Sequence, residues 1–281
     1  MKLVKNTLRL LSLSLLINIA GCDIVEQPYL KGPQGNGNQT GNFRQKVLLE
    51  KFTGHLCTNC PEAAQVAKNL KNIFGDRLVI TSIHAGWFSR LFGETFSTNY
   101  RTAAGTQIHD FYGIDALPVG LINRMEFSGS RLLGKDNWGP SIAQALNQEP
   151  RAGLTLTITF NQTTRALELL VRTDILKSIG GQASLSAFIC ENGLVSPQIV
   201  LGQTVLDYVH DNVLRRHFGA GGAWGEILFE NGTSAGQVFN NNFQMTLPAS
   251  FNAQKCYIVA VLHTGAQKEV IQVEMANVVG K

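Results

Sequence analysis

Two cysteines three residues apart, Cys57-Thr58-Asn59-Cys60, sit where the chain changes from one periodicity to another, and this junction limits the possible folds. Upstream, residues 46–52 (Lys-Val-Leu-Leu-Glu-Lys-Phe) are mostly apolar and run into Thr53-Gly54, the pattern of a buried strand followed by a turn. Downstream, Pro61 stands where a first helical residue belongs, since its missing N–H costs nothing there. Glu62 follows in the first turn, and Ala63, Val66, Ala67, Leu70, Ile73 and Phe74 recur at spacings of one, three and four up to Gly75. A second apolar run, 77–83, completes a strand–helix–strand unit. The pair therefore lies between a strand end and a helix N-terminus, whose free N–H groups and positive dipole end stabilise a thiolate at Cys57.

With this placement Cys57 reads as a nucleophile toward a disulfide and Cys60 as the residue that resolves the mixed disulfide. The competing interpretation is an inert staple, although so small a loop stabilises little. After residue 108 comes Phe111-Tyr-Gly-Ile-Asp-Ala-Leu-Pro118-Val-Gly-Leu-Ile-Asn123, an apolar strand opened by a proline that cannot donate to a ladder. Strand, C-x-x-C, helix, strand and an aromatic-Gly-Ile-x-x-x-Pro segment together resemble the thioredoxin fold over about residues 46–148. The resemblance implies a cis proline at Pro118 facing the cysteines, with Leu117 and Pro118 offering backbone to a substrate chain. It also implies a further strand at 120–127 and a last helix near 140–146.

Two positions depart from that pattern. The aromatic residue expected before the first cysteine is Leu56, and the buried acid expected six residues before it is Lys51. Glu50 is adjacent but faces the other way by strand alternation, so proton transfer to Cys60 is either slow or served by Glu50 after a register shift. His55 is either an imidazolium that lowers the thiolate pKa further or a capping or surface histidine. Thr58 and Asn59 match neither a strong reductant nor a strong oxidant, so the redox direction stays open.

The N-terminus reads as an address. Residues 1–9 are basic, 10–19 form a short apolar run, and Ile19-Ala20-Gly21-Cys22 resembles the lipobox of bacterial lipoproteins, in which the cysteine is acylated. The run is too short to cross a bilayer, so Cys22 implies anchoring through lipid rather than spanning. Residues 22–45 then read as the lipidated cysteine and a Gly- and amide-rich tether. Three of the 24 basic residues and none of the 20 acidic ones lie in residues 1–21, so the remainder carries only +1. A near-neutral chain with no basic stripe argues against nucleic acid as a partner.

From residue 150 the texture changes. Residues 154–160 alternate with period two, 161–164 turn and 167–173 return, with further strands expected at 183–190, 238–247, 255–263 and 269–276. All-β with turns at this spacing predicts an immunoglobulin-like sandwich over 150–281, after a thioredoxin-like domain over 46–149. Cys190 and Cys256 are then either a cross-strand disulfide or two buried free thiols. Residues 208–217, with His210, Asp211 and His217, predict a short helix with Leu214 packed inward, ahead of a Gly-rich loop. The aromatic-rich insertion 84–108 is either a lid or groove beside the cysteines or a small helical excursion packed on the sheet. No metal is expected, because one C-x-x-C lacks a second ligand pair, and Pro61 stands where a c-type haem would need histidine.

Four segments carry a wider resemblance: Phe52-Thr-Gly-His-x-Cys57-x-Asn-Cys60-Pro61, Ile83-His-Ala-Gly86, Pro118-x-Gly120 and His210-x-x-Val-Leu-Arg215. They resemble the twenty-eight-kilodalton outer-membrane protein family, lipoproteins of Gram-negative bacteria. The expected function is a lipid-anchored thiol-disulfide oxidoreductase of the cell envelope, at the outer membrane, needing no cofactor and meeting protein thiols, protein disulfides or a redox partner protein. The alternative is a binding or adhesion lipoprotein that keeps an inactive thioredoxin-like scaffold.

Overall fold

The computed structural model describes residues 42–280; the signal segment 1–21, Cys22 and the tether up to residue 41 lie outside the described residues. Strand β1 (Val47–Thr53) is buried along its whole length. Each fully buried aliphatic side chain contributes about 1.5–3 kcal/mol of transfer free energy. Val47, Leu48, Leu49 and Phe52 thus place the strand in the interior and carry Glu50 and Lys51 in with them. Helix α1 (Cys60–Phe74) crosses to β2 (Leu78–His84), which pairs parallel with β1. Helix α2 (Ala103–Phe111) starts at Thr102, whose side chain accepts from the Gly105 N–H. Strand β3 (Val119–Ile122) then pairs antiparallel with β1, Val119 opposite Phe52, and the Leu117–Pro118 bond before it is cis. Helix α3 (Trp138–Leu146) returns beneath the sheet.

Hairpin β4 (Ala152–Phe160) and β5 (Ala166–Ile175) follow as the alternation predicts. β6 (Ala183–Glu191) is buried at all nine positions. Four short strands come next: β7 (Leu194–Val195), β8 (Gln198–Val200), β9 (Gln203–Val205) and β10 (Val209–His210). The chain ends through β11 (Val213–His217), β12 (Glu226–Phe229), β13 (Val238–Thr246), β14 (Cys256–Thr264) and β15 (Val270–Asn277). The result is mixed α/β, rich in sheet and poor in helix.

The main sheet has eight strands in the order β15-β14-β6-β11-β2-β1-β3, with β12 also paired to β6, and a second sheet runs β13-β5-β4. β6, β11, β14 and β15 therefore continue the sheet of β1–β3 instead of standing apart from it. The link is β11, which pairs antiparallel with β6 and meets β2 at Val213 opposite Ser82. This corrects the helix expected over 208–217: Val213 and Leu214 fill a gap between two buried strands, and that tertiary site outweighs a weak local pattern. Leu214 does pack inward.

Three cores result. Val47, Leu49, Leu78 and Ile80 meet Ala63, Ala67 and Leu70 of α1 and Trp138 of α3 on one face of the sheet. Leu48, Phe52, Val79 and Ile83 meet Ala104 and Ile108 of α2 on the other. The third core lies between β4–β5 (Leu154, Leu169, Val171) and β6–β14 (Leu185, Ile189, Ile258, Leu262).

Of the two alternatives for Cys190 and Cys256, the structure has two buried free thiols. Cys190 lies opposite Tyr257 and Cys256 opposite Glu191, one residue out of step. A one-residue offset sends the two side chains to opposite faces, and each thiol joins a different core.

Candidate functional site

Cys57 and Cys60 are joined as a disulfide with their Cα atoms 5.4 Å apart. The turn after β1 closes through the Cys57 N–H donating to the Gly54 carbonyl (3.0 Å), and Cys60 opens α1 with Pro61 in its first turn. Glu62 in the same turn pairs with Lys135 at 3.1 Å. Both cysteines are covered, Cys57 at 3% exposure and Cys60 at 2%.

The cover is a segment that sequence reasoning missed, the β8–β9 hairpin. The Ile199 N–H donates to the His55 carbonyl (2.8 Å) and the Gly202 N–H to the Thr58 hydroxyl (2.7 Å). The Gln198 amide donates to the Gly54 and Cys57 carbonyls at 3.3 and 3.0 Å. Its signal was present in the sequence as apolar residues on both sides of Leu201-Gly202, both with positive φ, the backbone of a tight hairpin turn. The Leu201 side chain stays 84% exposed at the tip.

His55 is buried, stacks on Phe96 and shares a 2.7 Å hydrogen bond from Nε2 to the Arg90 carbonyl. Burial lowers its pKa, ahead of the opposing effect of that hydrogen bond, so the imidazolium alternative loses ground to a structural role. Gly54 is pressed against the same loop: a Cβ there would lie 2.4 Å from the Phe88 carbonyl oxygen. Because backbone must shift to admit it, Gly54→Ala is expected to cost about 1–3 kcal/mol. Urea denaturation of the variant checks this; an unchanged midpoint would contradict the packing.

Strand alternation separates the two charged residues of β1. Glu50 points away from Cys60 and is held by Arg124, whose Nε and Nη2 each donate to one carboxylate oxygen at 2.7 Å. It is thus not placed to serve Cys60. Lys51 points to the α1 side and lines a cavity of about 780 Å³ together with Cys60, Pro61, Lys68, His84 and His210. Burial pushes its ammonium pKa down to about 8, against the pull of Asp211. Leu117 packs partly buried against the α2-side core. The pairing of Val119 with Phe52 puts Pro118 one step further along, beside the end of β1 where the disulfide turn begins. Trp87 and Phe92 of the insertion are exposed whereas Phe96 and Tyr100 are buried, so the segment only partly packs its aromatics.

His84 and His210 lie ring to ring at 5.5 Å, with Tyr100 5.1 and 5.4 Å from them. Asp211 is exposed and His217 lies on β11, so no triad forms; among the described residues no three His, Cys, Asp or Glu converge as metal donors. Burial lowers both histidine pKa values, that of His210 to about 4. Both groups therefore stabilise the fold as neutral rings. That contribution is complete above the free value of about 6.5 and is lost as pH falls toward 4. A thermal-unfolding series from pH 8 to 4.5 is expected to show Tm falling below pH 6.5, with a shallower slope in His210→Asn. Parallel slopes for the two proteins would contradict this.

The family model described as Outer membrane protein Omp28 matches residues 105–281, more than half of the chain. No curated protein matches. Among solved structures, HBP35 of Porphyromonas gingivalis is 17% identical with a TM-score of 0.67, covering 84% of this chain and 76% of that one. Protein AGR_C_4864 from Agrobacterium tumefaciens is 13% identical with a TM-score of 0.51, covering 86% and 98%. A domain of the outer membrane lipoprotein Omp28 from Porphyromonas gingivalis is 17% identical with a TM-score of 0.32, covering 46% and 88%. The first two likenesses concern fold alone. Among the described residues no helix is long and apolar enough to cross a membrane. The match over residues 105–281 shows that the chain belongs to the Omp28 family of outer membrane proteins.

Proposed function

We propose that this chain is a thiol-disulfide oxidoreductase of the envelope, tethered through lipid on Cys22, with Cys57 as the nucleophile and Cys60 as the resolving cysteine. The observation that carries this is the setting of the disulfide. It closes a four-residue loop, too short to stabilise the chain appreciably, at the first turn of α1 and beside the buried cation of Lys51. A titratable group perturbed by burial in a cleft, beside a cysteine pair, is a candidate functional site. The order of parallel β1 and β2 joined by α1, with antiparallel β3 directly after Pro118, supports a thioredoxin-like unit over 46–149. The three-stranded sheet packed on β6 and β14 is what favours an immunoglobulin-like second half over 150–281. The partners are protein thiols or disulfides, with the β8–β9 hairpin moving aside to admit them.

One observation favours a second function, a binding lipoprotein with an inert pair: both cysteines are covered. Disulfide transfer separates the two. The oxidised full chain in detergent, mixed with a reduced unfolded protein, is expected to gain thiols at Cys57 and Cys60 as the client gains disulfides. Transfer no faster than in buffer alone would leave the binding function.

A further inference from the structure

The cavity beside the disulfide carries more positive charge than the chain neutralises. Lys51 is 5% exposed, and its ammonium makes no hydrogen bond or ion pair among the described residues. Lys68 and Lys71 line the same cavity, Lys71 with its ammonium donating to the Leu78 carbonyl, and the acid that pulls on Lys51, Asp211, is an exposed residue of the cavity lining. His84 adds a buried Nδ1 with no hydrogen-bond partner. A buried cation without a counter-ion is costly, and an entering carboxylate would offset that cost. Gln65 and Lys68 are exposed at the mouth, so a small solute reaches the interior from solvent. Cys60 lines this cavity and Cys57 does not, the turn of Cys57 being bonded to the β8–β9 hairpin.

We propose that the cavity binds a small carboxylate-bearing thiol, which reduces the Cys57–Cys60 disulfide by attacking Cys60. This rests on the redox function above and adds a second, small-molecule face to it. The incoming thiolate forms a disulfide with the Cys60 sulfur as the Cys57–Cys60 bond breaks, and Cys57 leaves as a thiolate at the N-terminus of α1. A second small thiolate attacks the mixed disulfide at the small molecule's sulfur and releases the Cys60 thiolate. Two small thiols are oxidised to one disulfide, the protein pair gains two electrons, and the two protons pass to Cys57 and Cys60.

The test uses the oxidised full chain in detergent and three thiols: reduced glutathione (anionic), 2-mercaptoethanol (neutral) and cysteamine (cationic). Each rate is divided by that of the same thiol on the chain unfolded in urea, which cancels intrinsic reactivity. The normalised rate for glutathione is expected to exceed that for cysteamine about tenfold, the scale of electrostatic steering into a charged cleft. Lys51→Met is expected to remove most of that preference and Lys51→Arg to restore it. With oxidised glutathione, the Cys57→Ser variant is expected to form a mixed disulfide at Cys60 faster than Cys60→Ser does at Cys57. Equal normalised rates for the three thiols, or faster capture at Cys57, would overturn the cavity's role and leave the redox function standing. If none of the three reduces the folded chain, the cavity's role falls, and transfer to a reduced client protein decides the redox function separately. Should Lys51→Met fail to fold, the wild-type preference and the Cys57→Ser and Cys60→Ser pair still decide.

Discussion

Arg124→Met is expected to lower the unfolding free energy by about 3–5 kcal/mol, the cost of leaving one buried charge without its partner. Arg124 is 0% exposed and Glu50 2%, so water cannot compensate the carboxylate when the guanidinium is removed. The pair also ties separate parts of the chain together. Glu50 lies in mid β1, Arg124 follows β3, and the neighbouring Asn123 carbonyl accepts the Val270 N–H of β15 at 2.8 Å. The Asn123 side chain accepts the Leu48 N–H at 2.7 Å, so the turn after β3 is held from two sides. Urea unfolding of wild type, Arg124→Met and the double variant Glu50→Leu/Arg124→Met measures this. The double variant is expected to recover much of the loss, since an apolar pair avoids desolvating either charge. A single variant within about 1 kcal/mol of wild type would mean the pair is not buried as described.

Cys57→Ser is expected to abolish disulfide transfer to a reduced client protein, a fall of at least about a thousandfold, because a hydroxyl cannot form the mixed disulfide. Cys60→Ser is expected to differ in kind: transfer stops, but when it is offered a client protein that carries a disulfide, the Cys57 thiolate attacks that bond, one client thiolate leaves, and the client accumulates as a mixed disulfide on Cys57, visible on a non-reducing gel. Neither substitution should move the unfolding midpoint far, given the size of the loop. If both variants lose several kcal/mol and neither traps a client, the disulfide is a staple and the binding function gains.

The stretch from Val47 to His84 was legible because its signals are local. An apolar run, a proline at the start of α1 and a 3.6-residue repeat specify strand, turn and helix with no knowledge of the remainder. Pro118 marked β3 for the same reason. The strands after residue 150 were also visible, yet their partners were not. β6 and β14 pair with each other across residues 183–191 and 256–264, and nothing near either one shows that β11 will join them to β2. The same distance hid the offset that parts Cys190 from Cys256. At the site, both cysteines and the misfit of Lys51 could be read from spacing. The hairpin's turn left a local signal, but its place over the cysteines could not be read, because Gln198 reaches Cys57 across 141 positions of chain.

The reduction potential of the Cys57–Cys60 pair in the folded full chain tests the central claim most directly. Equilibration against a dithiol series, with Cys57→Ser as the blank, is expected to give a value between about −120 and −270 mV with ready exchange. A value below about −300 mV without exchange would contradict the redox function and mark the pair as structural.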